Sequence, residues 1–455
     1  MSTIGSLYLM IQKRRRNRLS IRKRILSAIL TIAILLLTAC SAVEDLAPEP
    51  VDDYQEVEVI EEIGDEIEVE VIEEIDDEIE DEAEESEPVS LEDFIADALE
   101  AHSDRIKGVA FTAFTGDDII LELLYGYADT EAGIEIDSDS VFQWGSITKL
   151  LVYVSAMQLY ERGELDLHAD IFTYIPGSDF PNIQVPITMH HLINHTPGFA
   201  PHTDSDDIWY SLLVQSILQT YYFIMTGDDI PTLGGSLRSV FTQFPQVWQP
   251  GEVVEYADLF VGLAAYVVER IAGVPFYQYV HENIFAPLGM YHTAILPDLS
   301  DNAWVDEQRD VMIGYGQFGP LYPQRRLIAN YPAGMAAGTI SDMMKFARAL
   351  MPDENGVSIL FENPETLFIL YPTLEEIQDI NECTVGFRFF NGFMVFSVGE
   401  PIRVLGHGGG VGGFVSGLFI EIDRGIGFVI SENTSFGLQS MSTFTDGLYE
   451  VVFAE

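Results

Sequence analysis

Cysteine is nearly absent from this 455-residue chain, which carries only Cys40 and Cys383. Two thiols in different surroundings make no disulfide framework, and no Cys/His cluster has the spacing of a zinc site. Cations are scarce too. Lys and Arg number 22 against 73 Asp and Glu, for a formal charge of −51. That balance argues against nucleic acid as a partner, because phosphate binding needs Lys and Arg to release counterions. It also disfavours docking of the folded part on anionic lipid. The apolar run from Ile25 to Leu37 rises only about 20 Å as a helix, short of the roughly 30 Å hydrocarbon core of a bilayer. Apolar residues nevertheless make up 47% of the chain, enough for a substantial core.

The scarce cations are concentrated at one end. Lys13 to Arg16, Arg18 and Arg22 to Arg24 precede the short apolar run, the layout of a secretory signal. The run closes on Leu37-Thr38-Ala39-Cys40-Ser41, which resembles a bacterial lipobox. That resemblance implies cleavage after residue 39 and lipidation of Cys40. An uncleaved anchor helix is the other reading, and either one places the folded part outside the cytoplasm. Residues 44–88 contain no Lys or Arg and two dozen Asp and Glu, with Val59-Ile60-Glu61-Glu62-Ile63 echoed at Val71-Ile72-Glu73-Glu74-Ile75. Such a segment repels itself and buries too little to offset chain entropy, so an extended tether is expected over 40–89. An added strand or a calcium site is the competing view, although nothing approaches an EF-hand order of ligands.

The folded region is expected over residues 90–455. A helix from Leu91 to Ala101 leads into two strand-like runs, Gly108 to Phe114 and Ile119 to Tyr125. Helical spacing follows over Ile147 to Arg162 and Leu259 to Ile271, each stopped by a glycine, Gly163 or Gly273. Strand character returns around the Asn391-Gly392 hairpin signal and over Phe414 to Ile422 and Ile426 to Ser431. Strands at both ends with helices between predict an α+β fold, an antiparallel sheet closed by both chain ends, with an inserted helical lobe. The site is expected in the cleft between them.

The stretch Val141 to Lys149 holds Ser146 and, one helical turn on, Lys149. A serine hydroxyl is a weak nucleophile, and a neighbouring amine can take its proton if burial lowers the amine's pKa. Taken alone the pair is weak evidence, and Ser146 reads as a helix N-cap. The order of several landmarks changes this. Ser-x-x-Lys after an aromatic residue and a glycine, then Tyr256-Ala257-Asp258 behind Pro250-Gly251-Glu252, then His407-Gly408-Gly409-Gly410 before a strand resemble the three motifs of the serine β-lactamase and penicillin-binding protein superfamily. The likeness is to the branch of class C β-lactamases, DD-carboxypeptidases, D-aminopeptidases and esterases. Leu165-Asp166-Leu167, His190 to Gly198 and Ala333-Gly334 agree in order, over about residues 95 to 452.

The resemblance implies an acyl-enzyme on Ser146, with Lys149 and Tyr256 moving protons and the backbone N–H groups of Ser146 and Gly410 holding the oxyanion. It implies substrate contacts from Asp258, His407, Gly408, Gly409 and Gly410, and calls for no metal or cofactor. The expected partners are a small-molecule or peptide substrate and, through the lipid, a membrane; oligomeric state is not legible. Asp258 stands where the family carries Asn, and an ionised carboxylate can only accept hydrogen bonds. A helix N-cap is its alternative role, and beside Lys149 it would hold the amine charged. Of the nearby histidines, His191 and His195 have i, i+4 spacing but no intervening Glu in the zinc-protease manner, and read as structural. The expected substrate is a D-amino-acid peptide or an ester. A β-lactam, or a ligand merely bound by a cell-surface sensing module, are the alternatives.

Overall fold

A computed structural model describes residues 106–199, 246–309, 311–316, 319–321, 327–328, 330–353, 357–373, 376, 388–397 and 403–434, with positions 224, 225, 233 and 237. The expected leader, the tether with Cys40, the helix Leu91 to Ala101, Cys383 and almost all of Ile208 to Phe244 lie outside the described residues.

The chain enters the sheet through β1 (Gly108–Thr115), β2 (Ile119–Asp129) and β3 (Ile134–Glu135). A two-residue strand, β4 (Phe142–Gln143), precedes the serine, and its partners in a small sheet are β5 (Thr293–Ala294) and β6 (Ala337–Gly338). The late strands are β7 (Phe389–Phe390), β8 (Phe393–Ser397), β9 (Arg403–Val411), β10 (Phe414–Glu421) and β11 (Ile426–Glu432). The main sheet runs β7-β8-β9-β10-β11-β1-β2-β3. Its seam is the antiparallel pairing of β1 with β11, from Val109 opposite Glu432 to Thr115 opposite Ile426. The first and last described strands therefore lie side by side, as the order of elements in the sequence predicts. β1 is buried along nearly its whole length, as its apolar run requires, whereas β2 is largely exposed or half-buried and reads as a strand nearer the rim.

The principal helices are α1 (Lys149–Glu161), α2 (Met189–Ile193), α3 (Asp258–Ala272), α4 (Phe276–Val280) and α5 (Ile340–Ala349). Every residue of α1 from Lys149 to Leu159 is buried, so this helix is enclosed on all sides by the core. Ser155 meets that enclosure by back-bonding to the Leu151 carbonyl at 2.7 Å, and Gln158 by donating to the Leu360 carbonyl at 2.9 Å. α3 ends on Gly273 at φ 72°, a left-handed cap of the kind its glycine signals.

Candidate active site

Ser146 lies in a 3-10 turn, Gly145–Thr148, that joins β4 to α1. The turn is held from below by the small sheet. Trp144 N donates to the Ala336 carbonyl at 2.8 Å, and Thr148 Oγ1 donates to the Gly145 carbonyl at 2.6 Å while accepting from Ala336 N at 3.1 Å. Ser146 caps no helix; the residue flanking α1 is Thr148, which makes no side-chain cap either. The serine oxygen instead meets two side chains. Lys149 Nζ donates to it at 2.8 Å and the Tyr256 hydroxyl at 3.0 Å.

Lys149 is fully buried. Besides Ser146 Oγ, its Nζ meets the Ala333 carbonyl at 2.6 Å and Asp258 Oδ1 at 2.7 Å. An ammonium has three N–H donors, and these three acceptors match them. The arrangement fits a charged lysine held in place. Asp258 is the first residue of α3, next to the flanking Ala257, and its side chain turns to Lys149 rather than capping the helix. Its position in the first turn also suits a negative charge against the helix dipole.

Tyr256 reaches the serine from 110 residues away because the segment before α3 is sewn to the loop after α2. Glu255 N donates to the His195 carbonyl at 2.7 Å, Gly251 N to the Thr196 carbonyl at 2.8 Å, and Val247 and Trp248 N to the Gly198 carbonyl at 2.8 and 3.0 Å. His195 is the centre of this seam. It is fully buried, adopts φ 58°, and accepts from Ala257 N through Nδ1 at 3.3 Å. That bond leaves the proton on Nε2, which faces the Tyr153 hydroxyl at 3.4 Å. Burial foremost, then the nearby Lys149 and His407, keep its pKa well below the ordinary histidine range. Its ring lies 4.7 Å from the Tyr256 ring, and Phe389 stacks on the same tyrosine at 5.4 Å. Burial foremost, with Tyr256 and Asp258 nearby, pushes the Tyr153 phenol well above its usual range.

The third wall is β9. Its pairing with β8 ends at Gly406 opposite Met394, so His407 and the glycines beyond it are bonded to β10 on one edge only. One face of the strand lies on the serine turn. A Cβ on Gly409 would fall on the Trp144 carbonyl oxygen and 2.8 Å from Ser146 N; one on Gly145, at φ 54°, would lie 2.5 Å from Gly410 N. Glycine at these points lets two backbones approach as no other residue permits. At Gly410 the nearest atom to an added Cβ is 3.8 Å away. His407 shares the face of Gly409 by strand alternation, and its ring lies 6.2 Å from that of Tyr256. It is buried, Nδ1 donates to the Gly408 carbonyl at 2.6 Å, and Nε2 has no partner among the described residues. Burial and then the Lys149 charge lower its pKa to about 3, against a smaller opposing effect of the Gly408 bond.

The structure thus brings Ser146, Lys149, Tyr256, Asp258 and the His407–Gly410 edge to one place. Three participants were not legible as site residues: His195, Phe389 and the Ala333 carbonyl. His195 and Ala333 stand in landmark segments, yet residue type alone carries no sign that either packs against the reacting groups. His191, read as structural, pairs Nδ1 with Thr188 N and Oγ1 at 3.2 Å in the capping box of α2.

With this geometry in view, relatives can be compared. The β-lactamase family model matches residues 91–443. A Bacillus subtilis (strain 168) protein described as a penicillin-binding protein, PbpX, is 28% identical over 250 residues, 54% of this chain, and the match spans 55% of that relative's length. The D-alanyl-D-alanine-carboxypeptidase/endopeptidase AmpH of Escherichia coli (strain K12) is 24% identical over 390 residues, covering 81% of this chain and 91% of AmpH. The D-amino acid amidase of Ochrobactrum anthropi SV3, solved with D-phenylalanine, has the same fold, with a TM-score of 0.61 at 19% identity over 80% of this chain and 99% of that one. Because the family match runs through most of the chain, and the fold agrees, this protein belongs to the β-lactamase family of serine hydrolases.

Proposed function

We propose that this protein is an extracytoplasmic, lipid-anchored hydrolase that forms an acyl-enzyme on Ser146 with a D-amino-acid peptide, amide or ester. The observation carrying the reading is the position of Ser146 Oγ, 2.8 Å from Lys149 Nζ and 3.0 Å from the Tyr256 hydroxyl. With Tyr256 entering as its phenolate, Ser146 Oγ bonds to the carbonyl carbon while the serine proton passes to that phenolate. The phenol so formed gives the proton to the departing nitrogen or oxygen as the scissile bond breaks. The Lys149 ammonium, held by Asp258 and the Ala333 carbonyl, stabilises the negative charge that develops on both oxygens. The oxyanion receives the backbone N–H groups of Ser146 and Gly410. Water, deprotonated by the regenerated phenolate, then attacks the acyl carbon, and the phenol returns the proton to Ser146 Oγ as the acid is released. The free edge of β9 suits an extended substrate backbone, which it would bind as an added strand. Anchoring through Cys40 rests on the leader and the tether composition.

The test is intact-mass measurement of the purified protein after a fluorophosphonate probe and, in parallel, a fluorescent penicillin. An adduct present in wild type and lost in Ser146→Ala is the expected result. A slowly released penicillin adduct supports a peptidase, and rapid release of the hydrolysed drug a β-lactamase. No adduct with either reagent overturns the acyl-enzyme and favours a binding module. Cys40→Ser is expected to move the protein from the membrane to the soluble fraction; unchanged membrane retention rejects the lipid anchor.

A further inference from the structure

Two features of the cleft point the same way and are not needed for acylation as such. The first is Asp258. Its side chain is 43% exposed, and Oδ1 is engaged by the buried Lys149. Oδ2 has no partner among the described residues. The second is His407, a buried neutral imidazole whose Nε2 has no partner among the described residues and, with the proton held on Nδ1 by the Gly408 carbonyl, can only accept. Around the serine, then, the free polar side-chain atoms on two walls are acceptors.

Among the described residues, the cations nearest the serine do not offer a free donor to a carboxylate. Lys149 has an acceptor for each of its three donors. Arg403 starts β9 four residues before His407, a separation of roughly 13 Å along a strand. Phe389 faces Tyr256, and strand alternation turns the adjoining Arg388 away from it.

We propose that the Asp258 carboxylate, assisted by His407, selects acyl donors that carry a free ammonium next to the scissile carbonyl. This rests on Ser146 being the acylated nucleophile. The reach is right. Legs of 2.8 and 2.7 Å through Lys149 Nζ keep Asp258 Oδ1 within about 5.5 Å of Ser146 Oγ. A reacting carbonyl carbon stands about 3 Å from the attacking oxygen, and an α-nitrogen lies roughly 2.5 Å from that carbon. Both groups thus lie within the same radius of the serine oxygen, so an ammonium there can reach the carboxylate at ordinary hydrogen-bond length. A substrate carboxylate in the same place meets repulsion from Asp258. The substrates are thus aminoacyl amides, esters and peptides with an unblocked amino end.

The test uses the full chain and matched alanyl and N-acetylalanyl p-nitroanilides of both configurations at pH 7, with fluorophosphonate labelling of Ser146 followed alongside. Wild type is expected to favour the free amine in kcat/KM by at least about tenfold, as suits a charge-assisted contact to a carboxylate that is 43% exposed. In Asp258→Asn that ratio falls about tenfold or more, while Ser146 is still labelled. The ratio is internal to each protein, so a change in Lys149 that scales all rates does not imitate the effect. A wild-type ratio near one, a ratio unchanged by Asp258→Asn, or labelling of Ser146 with no turnover of the free-amine anilides overturns the proposal and leaves the acyl-enzyme standing. Neither labelling nor turnover overturns the acyl-enzyme reading, and this inference falls with it.

Discussion

Gly409 and Gly410 are neighbours with opposite tolerances. A methyl on Gly409 has no room, because the Trp144 carbonyl oxygen and Ser146 N occupy its place, whereas a methyl on Gly410 meets nothing closer than 3.8 Å. Gly409→Ala is therefore expected to push β9 off the serine turn, losing most acylation by the fluorophosphonate probe and about 1–3 kcal/mol of stability by overpacking. Gly410→Ala keeps the fold and its backbone N–H, and is expected to cost well under 1 kcal/mol in urea denaturation. Equal losses in the two variants would remove the argument that close approach of β9 shapes the site. Ser146 and Lys149 were legible only through the order of three motifs, because one-turn spacing alone reads equally well as a helix start. The meaning of Asp258 was only half legible. Its pairing with Lys149 could be anticipated from charge, but the helix begins on Asp258 itself, so the N-cap role weighed for it does not arise.

At the scale of elements, the hairpin from β7 to β8 shows how a local signal serves a distant purpose. Asn391 and Gly392 adopt φ 45° and 91°, the pattern that an Asn-Gly hairpin demands. Asn391 N also donates to Asn194 Oδ1 at 2.8 Å, and its side chain to the Ile369 carbonyl at 2.7 Å, tying the sheet to the helical lobe beside Phe389. A Cβ on Gly392 would enter the ring of Tyr153, which faces His195. Gly392→Ala thus suffers both a left-handed φ and a clash, and is expected to lower stability by more than about 1 kcal/mol and to slow labelling of Ser146. Unchanged midpoint and labelling rate would refute it. The turn was readable from two residues, while its bonds to Asn194 and Ile369 were not, since nothing local marks partners 197 and 22 residues away. Helix α1 carries a similar lesson. Its sequence spacing predicts a helix, yet Ser155 and Gln158 sit buried among apolar neighbours, and only packing shows that the helix has no solvent face.

For the molecule as a whole, histidines buried neutral make stability depend on acid. His407 is lowered to about 3, His190 to about 4 and His195 well below its ordinary value, in each case mainly by burial. Below about pH 6.5 the unfolded chain binds protons that the folded one refuses, so their contribution is complete above that pH and is lost as pH falls toward 3. The urea midpoint is expected to decline from about pH 6.5 downward, each such histidine adding up to about 1.4 kcal/mol per pH unit. His407→Gln should lessen the slope, and a midpoint flat from pH 7 to 4 would contradict the assignment. The same neutrality means that none of the three supplies a titration limb to activity between pH 5 and 8.

By itself the sequence determined the class of fold and a strongly anionic chain, and the order of its motifs singled out Ser146 and Lys149, because period, turn chemistry, motif order and net charge are all read along the chain or summed over it. Tertiary structure alone decided that His195 steers Tyr256, that three acceptors claim the Lys149 ammonium, and that β9 lies on the serine turn. Those outcomes depend on which surfaces meet when β1 closes on β11 and the helical lobe folds over the sheet, and burial, not residue type, then sets the charge each group carries.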